Sequence, residues 1–259
     1  MGEVLVITSG KGGVGKTTSA ACIGTGLAML DRTVLMIDTD TGLRNLDVIL
    51  GLENRIVYNL VDVVEGNCRL KQALIRDRSY PGLYLLPTAQ TRDKASVSPE
   101  HMIKLVDSLR EDYDFIILDC PAGIEQGFQS AIAAADRALI VTTPEVSSIR
   151  DADRVMGLLE DAGIRQSQLL VNLLLPLLFK QGDLMSADDV TVLLGFTLIG
   201  VIPDDEAVLI STNQGVPLIT GESLAAAAYR NIVRRILGEE VPFLNLEPKK
   251  SFWARFFHT

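Results

Sequence analysis

Short apolar runs rich in β-branched residues alternate along the chain with longer segments whose apolar residues recur every three or four positions. The short runs show little polar alternation, which is typical of strands covered on both faces of a sheet. They predict strands at 4–8, 33–38, 83–87, 115–119, 138–142, 169–172 and 197–202. The longer segments have the periodicity of amphipathic helices. They predict helices at 16–30, 99–109, 126–134, 148–162, 187–194 and 224–237.

The residues at two predicted helix starts support this assignment. Ser98 followed by Pro99 is typical of an N-cap with proline in the first turn, and Ser186 with Asp189 resembles a capping box. Alternation of strands and helices predicts one doubly wound α/β domain with a mostly parallel sheet, over residues 1–238. Ligands of such sheets bind at the carboxyl ends of the strands, so the residues after each strand are the candidates for chemistry.

Composition excludes several classes of protein. The chain has 259 residues, 47% hydrophobic and 22% charged, which is ordinary for a globular protein and unlike a disordered or collagen-like chain. A formal net charge of −9 is unfavourable for wrapping nucleic acid, so no nucleic-acid partner is expected. Three cysteines without a C-x-x-C pair favour reduced thiols over an iron–sulfur or structural zinc site.

Two features of the sequence bear on localisation. The first three residues lead directly into an apolar run of strand length, which leaves no room for a signal peptide. The longest apolar stretch, 169–179, is interrupted by Asn172 and Pro176 and is far shorter than the roughly 20 residues that span a bilayer. We therefore expect a cytoplasmic protein without a membrane-spanning segment.

A glycine-rich segment directly after the first predicted strand fits the phosphate-loop pattern G-x-x-x-x-G-K-[ST], and a helical pattern follows at once. Its glycines allow a tight turn that directs backbone N–H groups at an anion, and the positive end of the helix dipole adds to this. Lys16 is predicted to reach the β- and γ-phosphates, and Thr17 to place its hydroxyl on Mg²⁺. The predicted nucleotide-binding residues of the loop are Gly10, Gly12, Gly13, Val14, Gly15, Lys16, Thr17 and Thr18.

Carboxylates follow two further strands, where a magnesium nucleotide needs them. Asp119 is placed to bind a magnesium-bound water as a Walker B residue does, and Asp38 or Asp40 to approach the γ-phosphate. Taken singly, such aspartates can simply cap the next helix or turn, but three around one phosphate loop favour a magnesium site. The bend after Asp119 contains Gly123, whose N–H is placed to sense the γ-phosphate.

These motifs resemble the deviant Walker A family of P-loop ATPases, which carry an extra lysine in the phosphate loop, here Lys11. Five further segments are similar to the MinD branch of that family, which positions bacterial division. They lie at 38–47, 90–94, 121–125, 144–154 and 200–205. The loop alone would also fit plasmid-partition ATPases, whereas the segments around Arg44 and 147–154 favour the MinD branch.

The resemblance implies a homodimer that holds ATP and Mg²⁺ between its two copies, with Lys11 of one copy on the phosphates of the other. Asp40 would orient the attacking water, and hydrolysis would be slow and stimulated by a partner. The implied catalytic residues are Lys11, Lys16 and Asp40. The implied metal ligands are Thr17, Asp38 and Asp119. The residues implied to lie beside adenine are Asn172, Pro203 and Asp204.

Partners are also implied by the resemblance. The surface around Arg44, Ser148, Asp151 and Asp153 would receive MinC and MinE in competition, or another topological factor in place of MinE. A solvated charged helix face without a partner is the alternative for these residues. By recruiting MinC, a division inhibitor, such an ATPase would position the division septum.

One segment departs from the family pattern Asn-Arg-x-Arg-Pro, because this chain has Leu173 and Leu175 in place of the two arginines. Either the apolar strand continues and other groups hold the base, or the nucleotide site is weakened. Tighter ATP binding after Leu173→Arg would favour the second interpretation.

The last residues carry an amphipathic pattern of their own. Residues 249–259 contain three Lys or Arg and no acid, in contrast to the acidic remainder of the chain. On a helix at about 100° per residue the aromatic rings fall within about 140° of arc with Arg255 roughly opposite, which is typical of an interfacial helix. We predict a linker at 239–248 and then a segment that binds an anionic membrane surface. Its membrane-contacting residues are Lys250, Phe252, Trp253, Arg255, Phe256 and Phe257.

A single segment of this length should bind weakly, because so short a helix is unstable in water. Two segments on one dimer gain avidity of about 10²–10⁴, so ATP-dependent pairing would become attachment to the inner face of the cell membrane. A segment that packs on its own domain or is disordered is the alternative.

Other functions fit parts of the sequence. A DNA-partition ATPase of the same fold would bind duplex DNA nonspecifically, but the net charge and the aromatic tail argue against it. A phosphoryl-transfer or ligase enzyme needs an acceptor pocket, which the sequence does not visibly supply. A scaffold that copolymerises with a partner is compatible with a membrane ATPase and would form ATP-dependent filaments.

Overall fold

A computed structural model of the protein describes residues 1–41, 44–90, 97–175, 189, 192 and 195–246. Strands within these ranges form one sheet. They are β1 (Glu3–Thr8), β2 (Val34–Asp38), β3 (Ile75–Arg76), β4 (Leu83–Leu86), β5 (Phe115–Asp119), β6 (Arg137–Thr142), β7 (Gln166–Leu174) and β8 (Thr197–Pro203). Their order across the sheet is β3-β4-β2-β5-β1-β6-β7-β8, and all neighbouring pairs are parallel except β3 with β4.

Helices connect the strands on both faces. They are α1 (Lys16–Met29), α2 (Leu46–Ile49), α3 (Leu60–Val64), α4 (Leu70–Ala73), α5 (Pro99–Asp107), α6 (Gln126–Ile132), α7 (Val146–Asp161), α8 (Ala207–Gln214) and α9 (Leu224–Ile236). Two short 3₁₀ turns occupy Glu53–Arg55 and Leu218–Thr220. Among the described residues no helix has the length and apolar character to cross a bilayer.

Alternate residues of the central strands enter two separate apolar cores. Val4 and Val6 of β1 pack with helices α5, α6 and α7 on one face, whereas Leu5 and Ile7 pack with α1 and α9 on the other. Both faces of the sheet are therefore covered, which explains why the strand sequences lack polar alternation. The doubly wound α/β fold predicted from the sequence is confirmed.

All seven predicted strands are present, with ends that differ by up to three residues. Ser98 caps α5 as predicted, since its hydroxyl accepts from the N–H of His101 at 3.3 Å. The sequence patterns missed β3, α2, α3, α4 and α8, which have two to eight residues and therefore too few positions to show a period.

Some predictions fall where the structure gives no description. Of the predicted helix 187–194 only residues 189 and 192 are described, so the Ser186–Asp189 capping box lies outside the described residues in part. The predicted membrane segment 249–259 lies outside them entirely.

The chain's three cysteines are free thiols, and they differ in exposure. Cys22 in α1 and Cys120 after β5 are buried, whereas Cys68 is half-buried. Burial raises the pKa of both Cys22 and Cys120 to about 12.

Candidate phosphate-binding site

The loop between β1 and α1 depends on glycine for its backbone path. Gly13 and Gly15 have φ of +79° and +93°, in the left-handed region that side-chain-bearing residues avoid. Gly15 is the N-cap of α1, which begins at Lys16. The loop thus ends with the amino terminus of a 14-residue helix directed at it, the arrangement that favours an anion.

Asn172, at the end of the apolar part of β7, contacts this loop from the side of the sheet. Its side-chain amide donates to the carbonyl oxygen of Val14 at 2.8 Å, and both residues are buried. A Cβ on Gly15 would collide with the same amide nitrogen. Asn172 was predicted to lie beside adenine, and the structure places it against the backbone of the phosphate loop.

The loop opens into a cleft of about 370 Å³. Besides loop residues, it is lined by Asp40, Ala122, by Thr212 of α8 and by residues of the short helix α2 and its cap. The lining residues that the sequence did not predict are Asn45, Val48, Ile49, Ala122 and Thr212. Those of α2 and α8 come from helices too short for periodicity to reveal.

Two carboxylates lie side by side at the edge of the sheet. Asp38 and Asp119 are paired in register across β2 and β5, and each is 1% exposed. The Oδ1 atom of Asp38 accepts from the N–H of Asp40 at 2.9 Å. Within the described ranges, Oδ2 of Asp38 and Oδ1 of Asp119 have no hydrogen-bond partner. Buried polar atoms are rarely left unpaired, so these oxygens fit a site for a divalent cation.

Burial also controls the charge of this pair. It raises the pKa of Asp119 to about 7, although the Lys16 ammonium and a hydrogen bond from Thr17 act in the opposite direction. The pKa of Asp38 is raised well above its usual range by burial and by the neighbouring Asp119 charge. A cation at this site would reverse both effects by stabilising the ionised carboxylates.

The two lysines of the loop have different surroundings. Lys16 is only 8% exposed and lines the cleft. Lys11 has a side chain that is 44% exposed, and its ammonium lies 3.0 Å from Oε2 of Glu145 and 3.5 Å from Oγ of Ser147. The extra lysine, Lys11, therefore forms an ion pair at the start of α7, while Lys16 lines the cleft of its own chain.

A buried hydrogen-bonded chain links the loop to the last helix. The hydroxyl of Ser19 donates to the carbonyl oxygen of Gly15 at 2.8 Å and lies 3.0 Å from the hydroxyl of Tyr229. Because the Ser19 hydrogen is used on Gly15, the Tyr229 hydroxyl donates to Ser19. Burial raises the pKa of Tyr229, so this phenol keeps its proton.

The remaining predicted site residues lie around this centre. Gly10 packs against the backbone of Asp151, and Gly123 has φ of +88° with open space around it. Pro203 ends β8, and the N–H of Asp204 donates to the carbonyl oxygen of Leu174. Within the described part of the chain, the cleft is lined by neither Pro203 nor Asp204.

The predicted partner surface divides by exposure. The Nε atom of Arg44 lies 2.8 Å from the buried carboxylate of Asp47. Ser148 is 3% exposed, and its hydroxyl accepts from Thr143 at 2.8 Å. Asp153 is exposed and Asp151 is half-buried. Of these residues, Ser148 therefore has its side chain inside the domain.

Comparison with known proteins extends over nearly the full chain. Residues 2–168 match a family model described as an AAA domain. The septum site-determining protein MinD of Bacillus subtilis is 52% identical over 254 residues, which cover 97% of this chain and 95% of that protein.

Solved structures show the same likeness. MinD in the MinC:MinD cell division protein complex of Aquifex aeolicus superimposes with a TM-score of 0.88 at 46% identity, covering 95% of this chain and 100% of that one. MinD of Pyrococcus horikoshii complexed with Mg-ADP gives a TM-score of 0.83 at 29% identity, over 91% of this chain and 96% of that one.

Proposed function

Because this chain belongs to the MinD family of septum-site-determining ATPases, we propose that it joins the membrane as an ATP-dependent homodimer and recruits a division inhibitor there. It is a cell-division ATPase that uses ATP with Mg²⁺. Residues 1–238 form the ATPase domain in this proposal, 239–248 the linker and 249–259 the membrane-binding segment.

The residues of the cleft fit a magnesium nucleotide. The loop N–H groups, the amino terminus of α1 and Lys16 would bind the phosphates. Thr17, Asp38 and Asp119 would hold Mg²⁺, which supplies charge neutralisation on the phosphate oxygens when bound. Asp40 lines the cleft and would orient the attacking water. Asn172 would act through the loop backbone, whereas Pro203 and Asp204 would lie toward the base.

The position of Lys11 is the observation that supports a homodimer. Its ammonium lies against Glu145 and outside the set of residues that line the cleft within the described ranges. The ion pair is 44% and 58% exposed on its two sides, so it contributes at most about 1 kcal/mol. Lys11 is thus available to the phosphates of a second copy, which would close the interface only when a triphosphate is present.

The partners follow from the family and from the exposed residues. MinC is the first partner, as in the complex of the Aquifex relative. MinE, or another topological factor, would compete with MinC at the surface around Arg44, Ser148, Asp151 and Asp153, with Ser148 acting from inside the fold. Lys250, Phe252, Trp253, Arg255, Phe256 and Phe257 would hold the dimer on anionic lipid at the inner face of the cell membrane.

Co-sedimentation with anionic vesicles in ATP, ADP or no nucleotide tests the proposal. Unmodified protein should pellet with ATP, whereas Lys11→Ala and a variant lacking 249–259 should stay in the supernatant. Glu145→Gln is the matched control, because it removes the partner of Lys11 and leaves the lysine in place; it should pellet like the unmodified protein. Equal recovery of the truncated variant, or a monomer on a sizing column with a non-hydrolysable ATP analogue, would refute the proposal.

A further inference from the structure

Helix α9 runs from the carboxyl end of the parallel strands, where the phosphate loop lies, to their amino end. The N–H of Ala225 donates to the carboxylate of Asp205, just past the carboxyl end of β8. Further along, Ile232 fills the space above Gly200, and Arg235 reaches the carbonyl oxygen of Ile199 near the start of β8. The helix therefore runs antiparallel to β8 and ends about 15 Å further along, at the amino end of the strand.

The chain turns back on itself directly after α9. Gly238 has φ of +87°, the left-handed conformation that ends helices. The following residues lie beside the last turn of α9, and Leu244 packs against the apolar core on that face. Part of the predicted linker 239–248 is thus fixed to the domain.

Arg235 makes the contacts that fix it. Its Nε donates to the carbonyl oxygen of Val241 at 2.9 Å and its Nη2 to that of Pro242 at 2.8 Å. Its Nη1 donates to Ile199 of β8 at 2.9 Å. The guanidinium also lies over the ring of Phe243, 4.3 Å from its centroid.

These contacts suit arginine and no other residue type. A guanidinium presents five N–H donors in one plane and stacks on aromatic rings, whereas an ammonium is a point charge on a flexible stem. The acceptors are backbone carbonyl oxygens, so the strength of the contacts is independent of the side chains at 241 and 242. Partial burial lowers the pKa of Arg235, and a guanidinium remains protonated in proteins, so the group is charged.

We propose that Arg235 is a positioning residue, which clamps residues 241–244 to the edge of the domain and so shortens the tether to the membrane-binding segment. This inference rests on the proposed function, in which two such segments on one dimer bind lipid together. With the clamp, at most four residues (245–248) separate the domain from residue 249; without it, up to ten residues (239–248) do so. Effective concentration falls as roughly the −3/2 power of tether length, so release should weaken two-segment binding about fourfold.

Three single variants separate the clamp from other roles of the charge. Arg235→Met keeps an aliphatic stem but removes every donor. Arg235→Lys keeps a cation near anionic lipid and loses the planar donor set. Arg234→Met is the matched control, because it removes the neighbouring guanidinium, whose partner is the exposed carboxylate of Glu239.

The first measurement is the backbone ¹⁵N order parameter of residues 241 and 243–246 in solution without lipid, which tests the clamp whether or not the protein binds membranes. We expect lower order parameters there in Arg235→Met and Arg235→Lys, with unchanged values in the middle of β8 and in Arg234→Met. Unchanged order parameters at these residues in Arg235→Met would overturn the clamp.

The second measurement is vesicle affinity of the full chain. With ATP, Arg235→Met and Arg235→Lys should bind about fourfold more weakly than unmodified protein, with equal dimerisation. With ADP, where single segments act alone, the variants should match unmodified protein. Insertion of six Gly/Ser residues after Leu246 should reproduce the ATP-state loss in an otherwise unmodified chain.

Failure of the two proposals is distinguishable. Failure of the unmodified protein to bind vesicles in ATP would refute the membrane function, and lower order parameters at 241 and 243–246 in the Arg235 variants would still establish the clamp. Wild-type affinity of Arg235→Lys in ATP together with weak binding of Arg235→Met would show that only the charge matters, and would overturn the tether role.

Discussion

The side-chain amide of Asn172 donates a 2.8 Å hydrogen bond to the carbonyl oxygen of Val14, and so ties the end of strand β7 to the phosphate loop. The loop is held from the sheet side by a residue that lies 158 positions further along the chain. Its shape therefore depends on the integrity of β7 as well as on its own glycines.

Asn172→Ala should destabilise the nucleotide-free protein by about 1–3 kcal/mol, because a buried carbonyl oxygen loses its partner. ATP affinity should fall with it, since the loop N–H groups are no longer held in place. Urea unfolding and titration with a fluorescent nucleotide measure the two effects. Leu175→Ala, on an exposed position three residues later, should change neither; a neutral Asn172→Ala would contradict the supporting role.

The glycines of the loop offer a second test. In Gly13→Ala the added Cβ meets open space, so only the positive φ is unfavourable. The free energy of unfolding should fall by about 1–2 kcal/mol. Gly15→Ala should lower the free energy of unfolding by roughly 1 kcal/mol more than Gly13→Ala does, because its Cβ displaces the Asn172 amide. The double variant Gly15→Ala/Asn172→Ala should lose less free energy of unfolding than the two single variants lose together, as expected for residues in contact. Strict additivity in urea unfolding would exclude this steric coupling.

Stability of the nucleotide-free protein in EDTA should fall as pH rises from about 4, where the carboxyl ionises in the unfolded chain, to about 7. The folded pKa of Asp119 is raised to about 7, so the folded state keeps a proton that the unfolded state has released, and a rise in pH favours unfolding. Asp38, whose pKa is also raised, acts in the same direction.

Asp119→Asn should flatten this dependence in urea unfolding at several pH values. Asp114→Asn is the control, because hydrogen bonds from Thr33 lower the pKa of Asp114 and its contribution is constant above pH 5. A slope that is identical in unmodified protein and Asp119→Asn would assign the effect to other groups.

The hydrogen-bonded chain from Tyr229 through Ser19 to Gly15 predicts coupling between helix α9 and the phosphate loop. Tyr229→Phe should cost about 0.5–1.5 kcal/mol without leaving a cavity. In a double-mutant cycle with Ser19→Ala we expect a coupling energy of at least about 0.5 kcal/mol for unfolding, and a parallel change in nucleotide affinity. Tyr113→Phe, whose ring packs edge-to-face on Tyr84 away from the loop, should leave nucleotide affinity unchanged.

Leu173 stands where the resemblance leads us to expect arginine, and the structure gives it φ of +55° beside a register shift between β7 and β8. Leu173→Arg should tighten ATP binding if the missing guanidinium weakens the site. Val57→Arg, on a position that is 78% exposed, controls for added charge. An unchanged dissociation constant for Leu173→Arg would show that other groups hold the base.

The sequence was sufficient for seven strands of the sheet, the glycine-rich loop and the carboxylates at strand ends, because each leaves a local signature. The side-chain direction of Asn172 was beyond it, since the irregularity between Val171 and Leu174 changes the register of β7 against β8. The walls of the cleft were missed for another reason: α2 has four residues, fewer than a helical period needs to appear. The Arg235 contacts join a helix end to backbone carbonyl oxygens, and a sequence pattern of side chains cannot predict such contacts.

The contrast among the three thiols has a practical consequence. Two are enclosed and resist ionisation. Burial and the Asp62 charge also raise the pKa of Cys68, but its side chain is only half-buried, so a maleimide dye at alkaline pH should attach there first. Unmodified protein then carries one fluorophore per copy at a fixed position remote from the phosphate loop in sequence. Mixing donor- and acceptor-labelled batches would report association of copies in real time, with no engineered residue.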